Sequence, residues 1–231
     1  MNTEDFSHEF DVLLNSYNTP VSISLNEYEK SVFLTDSQEF FVLGLYNGNS
    51  RDREGFEHTE EIRRYLSNLI KEASLLPIEN STGILGIDSQ SKFFTLPEDL
   101  WFITYESVNV SDSKCENMSS LGVFPIRQDE YHKLKKNPFR GANERRALRL
   151  DLSGGVVEIV SKNTVASYYV RYLRKLKPIV LEDFTGEISV NGISEKTECE
   201  LPEILHQRIL EGAVMMALRA KGVDLKNNEN R

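Results

Sequence analysis

Apolar residues recur at helical spacing over the first third of the chain. Phe6, Phe10, Leu13, Leu14 and Tyr17 mark a helix over 5–17, which Asn18-Thr19-Pro20 ends. A short extended run at 21–25 leads into 25–47, LNEYEKSVFLTDSQEFFVLGLYN, which carries two helix-start patterns. Asn26 with Glu29 spells one capping box and Thr35 with Gln38 a second, so two consecutive helices are expected. Tyr28, Val32, Phe33, Phe40, Phe41 and Leu45 are expected to be largely buried there, on more than one face. An exposed polar loop follows over 47–55. The spacing then predicts a helix over 59–73, capped by Thr59, with Ile62, Tyr65, Leu66, Leu69 and Ile70 on one side.

From Pro77 onward the period changes. Short β-branched and aromatic runs at 84–87, 91–96, 101–110 and 122–126 predict strands, with 111–120 (SDSKCENMSS) as a loop between two of them. A short polar helix over 127–136 stops at Asn137-Pro138. Alternation over 148–152 and 156–160 around Ser153-Gly154-Gly155 predicts a hairpin. Tyr168, Val170 and Tyr172 alternate with Tyr169 and Arg171 in a further strand over 167–173, and 179–181 and 187–190 read as short strands or edges. The last helix spans 201–221, with Pro202 and Glu203 in its first turn, Arg219 and Lys221 in its last, and Gly222 as C-cap. Ile204, Leu205, Ile209, Ala213, Met216, Ala217 and Ala220 form its expected apolar stripe, and 223–231 is a polar tail. The fold class is therefore α+β. The expected parts are a helical block over 1–76, a mainly antiparallel β region with one short helix over 77–200, and a C-terminal amphipathic helix and tail over 201–231, packed back as one unit.

Composition adds limits. With 231 residues, 39% hydrophobic and 27% charged, the chain is long enough to bury a core and has the balance of a globular protein. No apolar run reaches the roughly 18 residues that span a bilayer, so no membrane partner is expected. The first residues, MNTEDFSHEFD, lack the basic and apolar regions of a secretory signal. Cys115 and Cys199 stand far apart, in no metal-like spacing, and are read as reduced cytosolic thiols, although their number also permits one disulfide. The net charge of −9 is segregated: residues 127–177 hold 13 Lys and Arg against 5 Asp and Glu, a local +8, leaving −17 elsewhere. Such a block is a solvated face, a surface for an acidic partner or neighbouring copy, or a contact for nucleic-acid phosphate.

Residues that could carry chemistry are sparse. Glu203 and His206 form a single Glu-x-x-His pair on the last helix, without the other carboxylate helices of a di-iron site, and are read as an exposed polar face. Gly83 and Gly86 lack the Lys-Ser/Thr of a phosphate loop, and Gly154-Gly155 is turn chemistry. Cys115 has no recognisable histidine partner, and no serine sits in a nucleophile elbow. Trp101 reads as packing. No catalytic, cofactor-binding or metal-binding residue is assigned, and no cofactor is expected. The best binding candidate is the run 168–177, YYVRYLRKLK, whose interleaved aromatic and basic residues suit base stacking, a protein interface or a half-exposed sheet edge.

Four stretches in fixed order carry a resemblance: FDVLLNSYNTP with LNEYEKSVFLTDSQEFFVLGLYNG; FEHTEEIRRYLSNLI; DEYHKLKKNPFRGANERRALRLDL; and YYVRYLRKLKPIVL followed by CELPEILHQRILEGAVMMALRAK. Together they cover about half of the chain, and 77–120 is unmatched. The chain resembles virion proteins of crAss-like, short-tailed phages of gut bacteria. That resemblance implies a structural subunit with no enzymatic activity, in a ring of the head-to-tail connector beneath the portal. It also implies twelve copies per ring, portal and other connector or tail proteins as neighbours, and packaged DNA passing non-specifically through the channel. The location implied is the virion neck, after synthesis in the host bacterial cytoplasm. The alternative reading is a nucleic-acid-binding module that uses 127–177. On the ring reading, Lys135, Lys136, Arg140, Arg145, Arg146, Tyr169, Arg171 and Arg174 are the candidate subunit or layer interface.

One outcome is directly measurable. Thiol titration of denatured, unreduced protein is expected to find both cysteines free; finding neither would establish a disulfide.

Overall fold

In the computed structural model, residues 1–17, 24–47, 60–78, 86–112 and 115–222 are described, with residue 112 and residues 115–119 in backbone only. The expected helix stop at 18–20, the extended run at 21–23, most of the 47–55 loop, the Thr59 cap, the strand start at 84–85, Gly83 and the tail at 223–231 lie outside the described residues. The chain divides into two compact units, the first built from Met1–Asn68 and Leu176–Arg231, the second from Leu69–Lys175.

Two capping boxes start the first unit. In α1 (Thr3–Ser16), Asn2 Oδ1 accepts the Asp5 N–H at 2.8 Å and Asp5 Oδ2 accepts the Asn2 N–H at 3.0 Å. In α2 (Glu27–Asn47), Asn26 and Glu29 make the same exchange at 2.7 and 3.2 Å, as the sequence predicts. The second helix start does not occur: α2 runs unbroken through Thr35. The box-like residues are used elsewhere. Thr35 Oγ1 accepts the Ile179 N–H (3.1 Å), Ser31 Oγ accepts the Leu181 N–H (3.1 Å), and Gln38 Nε2 donates to the Lys177 carbonyl (3.0 Å). Residues 31, 35 and 38 lie on one stripe of the helix, so they meet alternate residues of the extended 177–181 segment.

This polar stripe sets the burial. The inward face of α2 is Lys30, Ser31, Leu34, Thr35, Ser37, Gln38, Val42 and Leu45. Of the six residues expected inside, only Leu45 is buried; Val32, Phe33 and Phe41 are half-buried, Tyr28 is at the margin, and Phe40 is 69% exposed. Lys30, only 3% exposed, donates to Asp11 (2.7 Å), Glu27 (2.9 Å) and Ser7 (3.1 Å), clasping α2 to α1. Burial alone would lower its pKa, but the two carboxylates more than offset that and hold it above the ordinary lysine value. Cys199 donates to Gln38 Oε1 at 3.2 Å, and burial pushes its thiol up to about 11.

The expected helix over 59–73 is shorter. α3 (Glu60–Leu66) gives way to a 3-10 turn and then to a strand, β1 (Ile70–Leu75), because Ala73 and Leu75 alternate toward the core of the second unit. The second unit is a seven-stranded sheet of β1, β2 (Lys92–Thr95), β3 (Leu100–Asp112), β4 (Cys115–Pro125), β5 (Arg146–Asp151), β6 (Val156–Val160) and β7 (Thr164–Arg174). Their order is β1-β7-β3-β4-β5-β6-β2, antiparallel except for β4–β5. The loop expected at 111–120 is thus mostly strand. The Gly154-Gly155 hairpin joins β5 to β6 as predicted, with both glycines at φ near +70°. The short strands expected at 179–181 and 187–190 are only isolated bridges, Val180 with Thr197 and Val190 with Ile193.

The sheet curls on itself. Ile78, just past edge strand β1, donates its N–H to Phe93 on the opposite edge strand at 2.8 Å, and the Phe94 and Tyr168 rings lie 5.4 Å apart across the interior. Val108, Val110, Leu121, Val123, Ala147 and Ile159 fill that interior with them. Glu106 enters it as well, accepting from Tyr168 Oη (2.5 Å) and Arg149 Nη1 (2.8 Å). Burial still raises the Glu106 carboxyl above its ordinary pKa. Arg149 Nε is 3.0 Å from Asp151 but off the N–H direction, an ion pair without a hydrogen bond.

The parallel β4–β5 pair needs a crossover, and α4 (Tyr131–Lys135) supplies it. Tyr131 packs with Leu148, Leu150 and Val160 on the outer side of the sheet. Its hydroxyl (2.7 Å) and the Lys135 ammonium (2.7 Å) both donate to Asp88 Oδ2, and these bonds, Lys135 first, hold the Asp88 carboxyl well below the usual range.

The last helix, α5 (His206–Ala220), follows a 3-10 turn over Glu203–Leu205 and packs on α2 and α1. Its buried stripe is rotated from the expected one: Ile209, Leu210, Ala213, Val214, Ala217 and Leu218 are inside, while Ile204 and Ala220 are exposed. His206 is also inside, its Nε2 2.9 Å from the Leu201 carbonyl and its ring against Phe6. The Glu203–His206 pair is therefore not an exposed polar face. Gly222 at φ +76° ends the described chain beyond the helix as the sequence predicts.

Two outcomes follow from this packing. A Cβ at Gly212 would stand 2.4 Å from Ser37 Oγ, which donates to the Ile209 carbonyl at 2.7 Å. Gly212→Ala should therefore lower the melting temperature despite a helix-propensity gain of about 1 kcal/mol, and adding Ser37→Ala should recover most of the loss; recovery of nothing would place the strain elsewhere. Second, a carboxyl held low when folded binds its proton more readily when unfolded, so the Asp88 contribution is full above the ordinary carboxylate pKa and is lost as pH falls. Acid titration of stability should show a smaller loss in Asp88→Asn than in the wild type.

Candidate protein interface

All eight candidate residues belong to the second unit. Strand register brings three of them onto one side of the sheet. Tyr169 on β7 pairs with Ser107 on β3, Ser107 with Gly122 on β4, and Gly122 with Arg146 on β5. Directly paired residues point to the same side, so these four form one transverse row. The adjacent row holds Glu72, Arg171 and Tyr105. Phe124, two residues along β4 from Gly122, points the same way.

These side chains form two contact groups. The Arg171 Nε lies 3.0 Å from Glu72 and donates to the Tyr169 hydroxyl at 3.0 Å, while the Tyr105 and Tyr169 rings meet edge-on at 6.2 Å. The Arg146 guanidinium lies 3.9 Å from the Phe124 ring centre and donates to the Phe139 carbonyl at 3.3 Å. That bond ties the 137–141 turn, with Phe139 and Arg140 at its tip, to the margin of the sheet. Tyr105 (53% exposed), Phe124 (44%) and Phe139 (86%) are large apolar groups left in solvent beside permanent cations.

The other candidates are placed differently. Lys135 is turned onto Asp88 and rims a cleft of about 340 Å³ lined by Tyr131, Ala142, Leu148, Ser161 and Lys162. Lys136 and Arg145 are exposed beside the patch in sequence, on α4's end and just before β5. Arg174 sits at the end of β7, with Nη1 on the Lys175 carbonyl at 3.2 Å. In the run 168–177, two of the three aromatics face inward: Tyr168 and Tyr172 are buried, and Tyr172 donates to Asp99 at 2.9 Å. Sequence reading missed Tyr105, Phe124 and Phe139. Alternation along β3 and β4 could have flagged the first two, since each lies one position from an inward residue, Glu106 and Val123.

The patch joins cations to aromatic faces, the chemistry that dominates protein–protein hot spots. It offers no nucleophile paired with a base. Among the described residues no group of three or more His, Cys, Asp or Glu side chains could hold a metal, and no helix is long and apolar enough to cross a membrane.

The chain matches known ring proteins over nearly its whole length. The chain is 43% identical over 224 residues to Ring protein 3 of Bacteroides phage crAss001, covering 96% of each. It is 32% identical over 236 residues to Ring protein 4/5 of the same phage, covering 98% of this chain and 96% of that one. A family model described as phage tail ring protein 3/4 matches residues 1–229, and the family is one of phage structural proteins rather than enzymes. With nearly its whole length matched, the chain belongs to the phage tail ring protein 3/4 family.

Proposed function

We propose that this chain is a subunit of a homo-oligomeric ring in the phage head-to-tail connector, below the portal. There it helps to form the DNA exit channel and to attach the tail. Twelve copies match the portal's symmetry. The subunit is made in the host bacterial cytoplasm and ends in the virion neck, against portal, connector and tail proteins. The observation that carries this reading is the outer face of the sheet, where Tyr105, Phe124 and Phe139 stand exposed beside Arg140, Arg146 and Arg171. Exposed aromatics of that size have no role in a free monomer and gain by burial against a partner.

Charge supports a protein rather than a nucleic-acid partner. The first unit carries 23 acidic against 12 basic residues and the second 13 against 15, so every copy offers acid to a neighbour's base. Lys135, Lys136, Arg140, Arg145, Arg146, Tyr169, Arg171 and Arg174 are then interface residues toward a neighbouring subunit or layer, with DNA kept off them. Most such contacts are exposed pairs worth about 0–1 kcal/mol each, so assembly depends on the aromatics as much as on the charges.

A reconstruction of the virion neck tests this directly. A ring of twelve copies on the DNA axis, with these residues between subunits or layers, is the expected result. The same residues lining the channel, together with DNA affinity of the purified protein that falls steeply with salt, would instead favour a nucleic-acid-binding module.

A further inference from the structure

The outward face of α2 carries a second unmatched surface. Asp36 is exposed, and its neighbours on the helix surface at i−4, i−3, i+4 and i+7 are Val32, Phe33, Phe40 and Leu43. A carboxylate thus stands in a ring of apolar side chains, with Phe40 the most exposed of them. The ion pairs of α2 are Lys30 with Asp11 and Glu27, and Glu29 with Lys221. Among the described residues neither Asp36 nor its neighbour Glu39 has a cation within ion-pair distance. Partial burial, with repulsion from Asp36 added to it, pushes the Glu39 carboxyl above its ordinary pKa.

The sheet face has the inverse composition. The Arg146 guanidinium lies over the Phe124 ring, its one hydrogen-bond partner among the described residues is a main-chain carbonyl, and no carboxylate of those residues is within ion-pair distance. Phe139 stands beside it, and Tyr105 and Tyr169 lie farther across the same side of the sheet. One surface is an acid framed by apolar groups, the other a base framed by aromatics, and both belong to the same chain.

We infer that α2 of one copy docks on the outer β7–β3–β4–β5 face of a second copy, with Asp36 meeting Arg146 and Phe40 entering the Phe124–Phe139 side of the aromatic patch. This rests on the ring reading and names its subunit contact. Two different faces meeting head-to-tail make a heterologous interface, the kind that closes into a ring. Copies docked acid to acid or base to base are penalised, which fixes their direction. Arg146 keeps its stacking on Phe124, so the desolvated pair retains a partner on each side.

Disulfide trapping tests the contact in the full-length protein. One preparation carries Asp36→Cys, another Arg146→Cys, and a third Phe139→Cys, whose exposed turn lets the fold tolerate the change. Wild type, with its native cysteines, gives the background. Oxidising Asp36→Cys mixed with Arg146→Cys or with Phe139→Cys should give a covalent dimer that neither preparation gives alone. A chain carrying Asp36→Cys and Arg146→Cys together should give a ladder of higher multiples. If neither mixture exceeds its separate components while the virion neck holds rings of this chain, the contact is overturned and the ring reading stands. If the neck holds no ring of this chain, the ring reading itself falls.

Discussion

The first unit depends on one helix turning its polar side inward. Ser31, Thr35 and Gln38 of α2 supply hydrogen bonds to Lys177, Ile179 and Leu181, an extended stretch with almost no sheet neighbour of its own. Buried main-chain N–H and C=O groups must be paired, and here a helix surface does what an adjacent strand would do elsewhere. The spacing allows it, since one helical turn and two residues of extended chain advance by similar lengths. Leu34 and Val42 then close around the bonds and keep water from competing.

Using that face for polar contacts forces the apolar residues of α2 outward. The helix cannot place Val32, Phe33 and Phe40 in the same interior, because they lie on the opposite side of the cylinder. Surface apolarity here is a consequence of internal hydrogen bonding. The second unit reaches a similar state by another route: α4 covers one part of the outer sheet through Tyr131 and Leu148, while Tyr105 on β3 and Phe124 on β4 stay exposed. In both units the core is complete, and what remains outside is available for a partner.

Much of this was legible in the sequence, and the failures share a cause. The Asn26–Glu29 box and the Gly154-Gly155 hairpin are local devices whose partners lie within four residues, so pattern alone located them. Thr35 and Gln38 have the spacing of a capping box too, but their partners are more than a hundred residues away, which no local pattern reveals. The period of 62–70 fits a helix until Ile70, where pairing with Leu173 draws the chain into the sheet. The polar run at 115–120 reads as a loop, and pairing with β3 makes it a strand. The interface residues were visible as charge, whereas their convergence was not. Tyr169 and Arg146 are neighbours only through Ser107 and Gly122, a relation that exists in register and not in sequence.

The path of the chain gives the α2 stripe a temporal meaning. The whole of Leu69–Lys175 is inserted between the two parts of the first unit, so the sheet can complete itself on the ribosome while α2 waits. Until residues 177–181 emerge, Ser31, Thr35 and Gln38 have only water to bond, and α5, the last helix among the described residues, must still seat Gly212 against Ser37. A nascent or truncated chain therefore presents a finished sheet but an unfinished helical unit. Maturation of the helical unit thereby waits on the synthesis of the segment after Lys175, and only a chain that includes it can offer both surfaces at once.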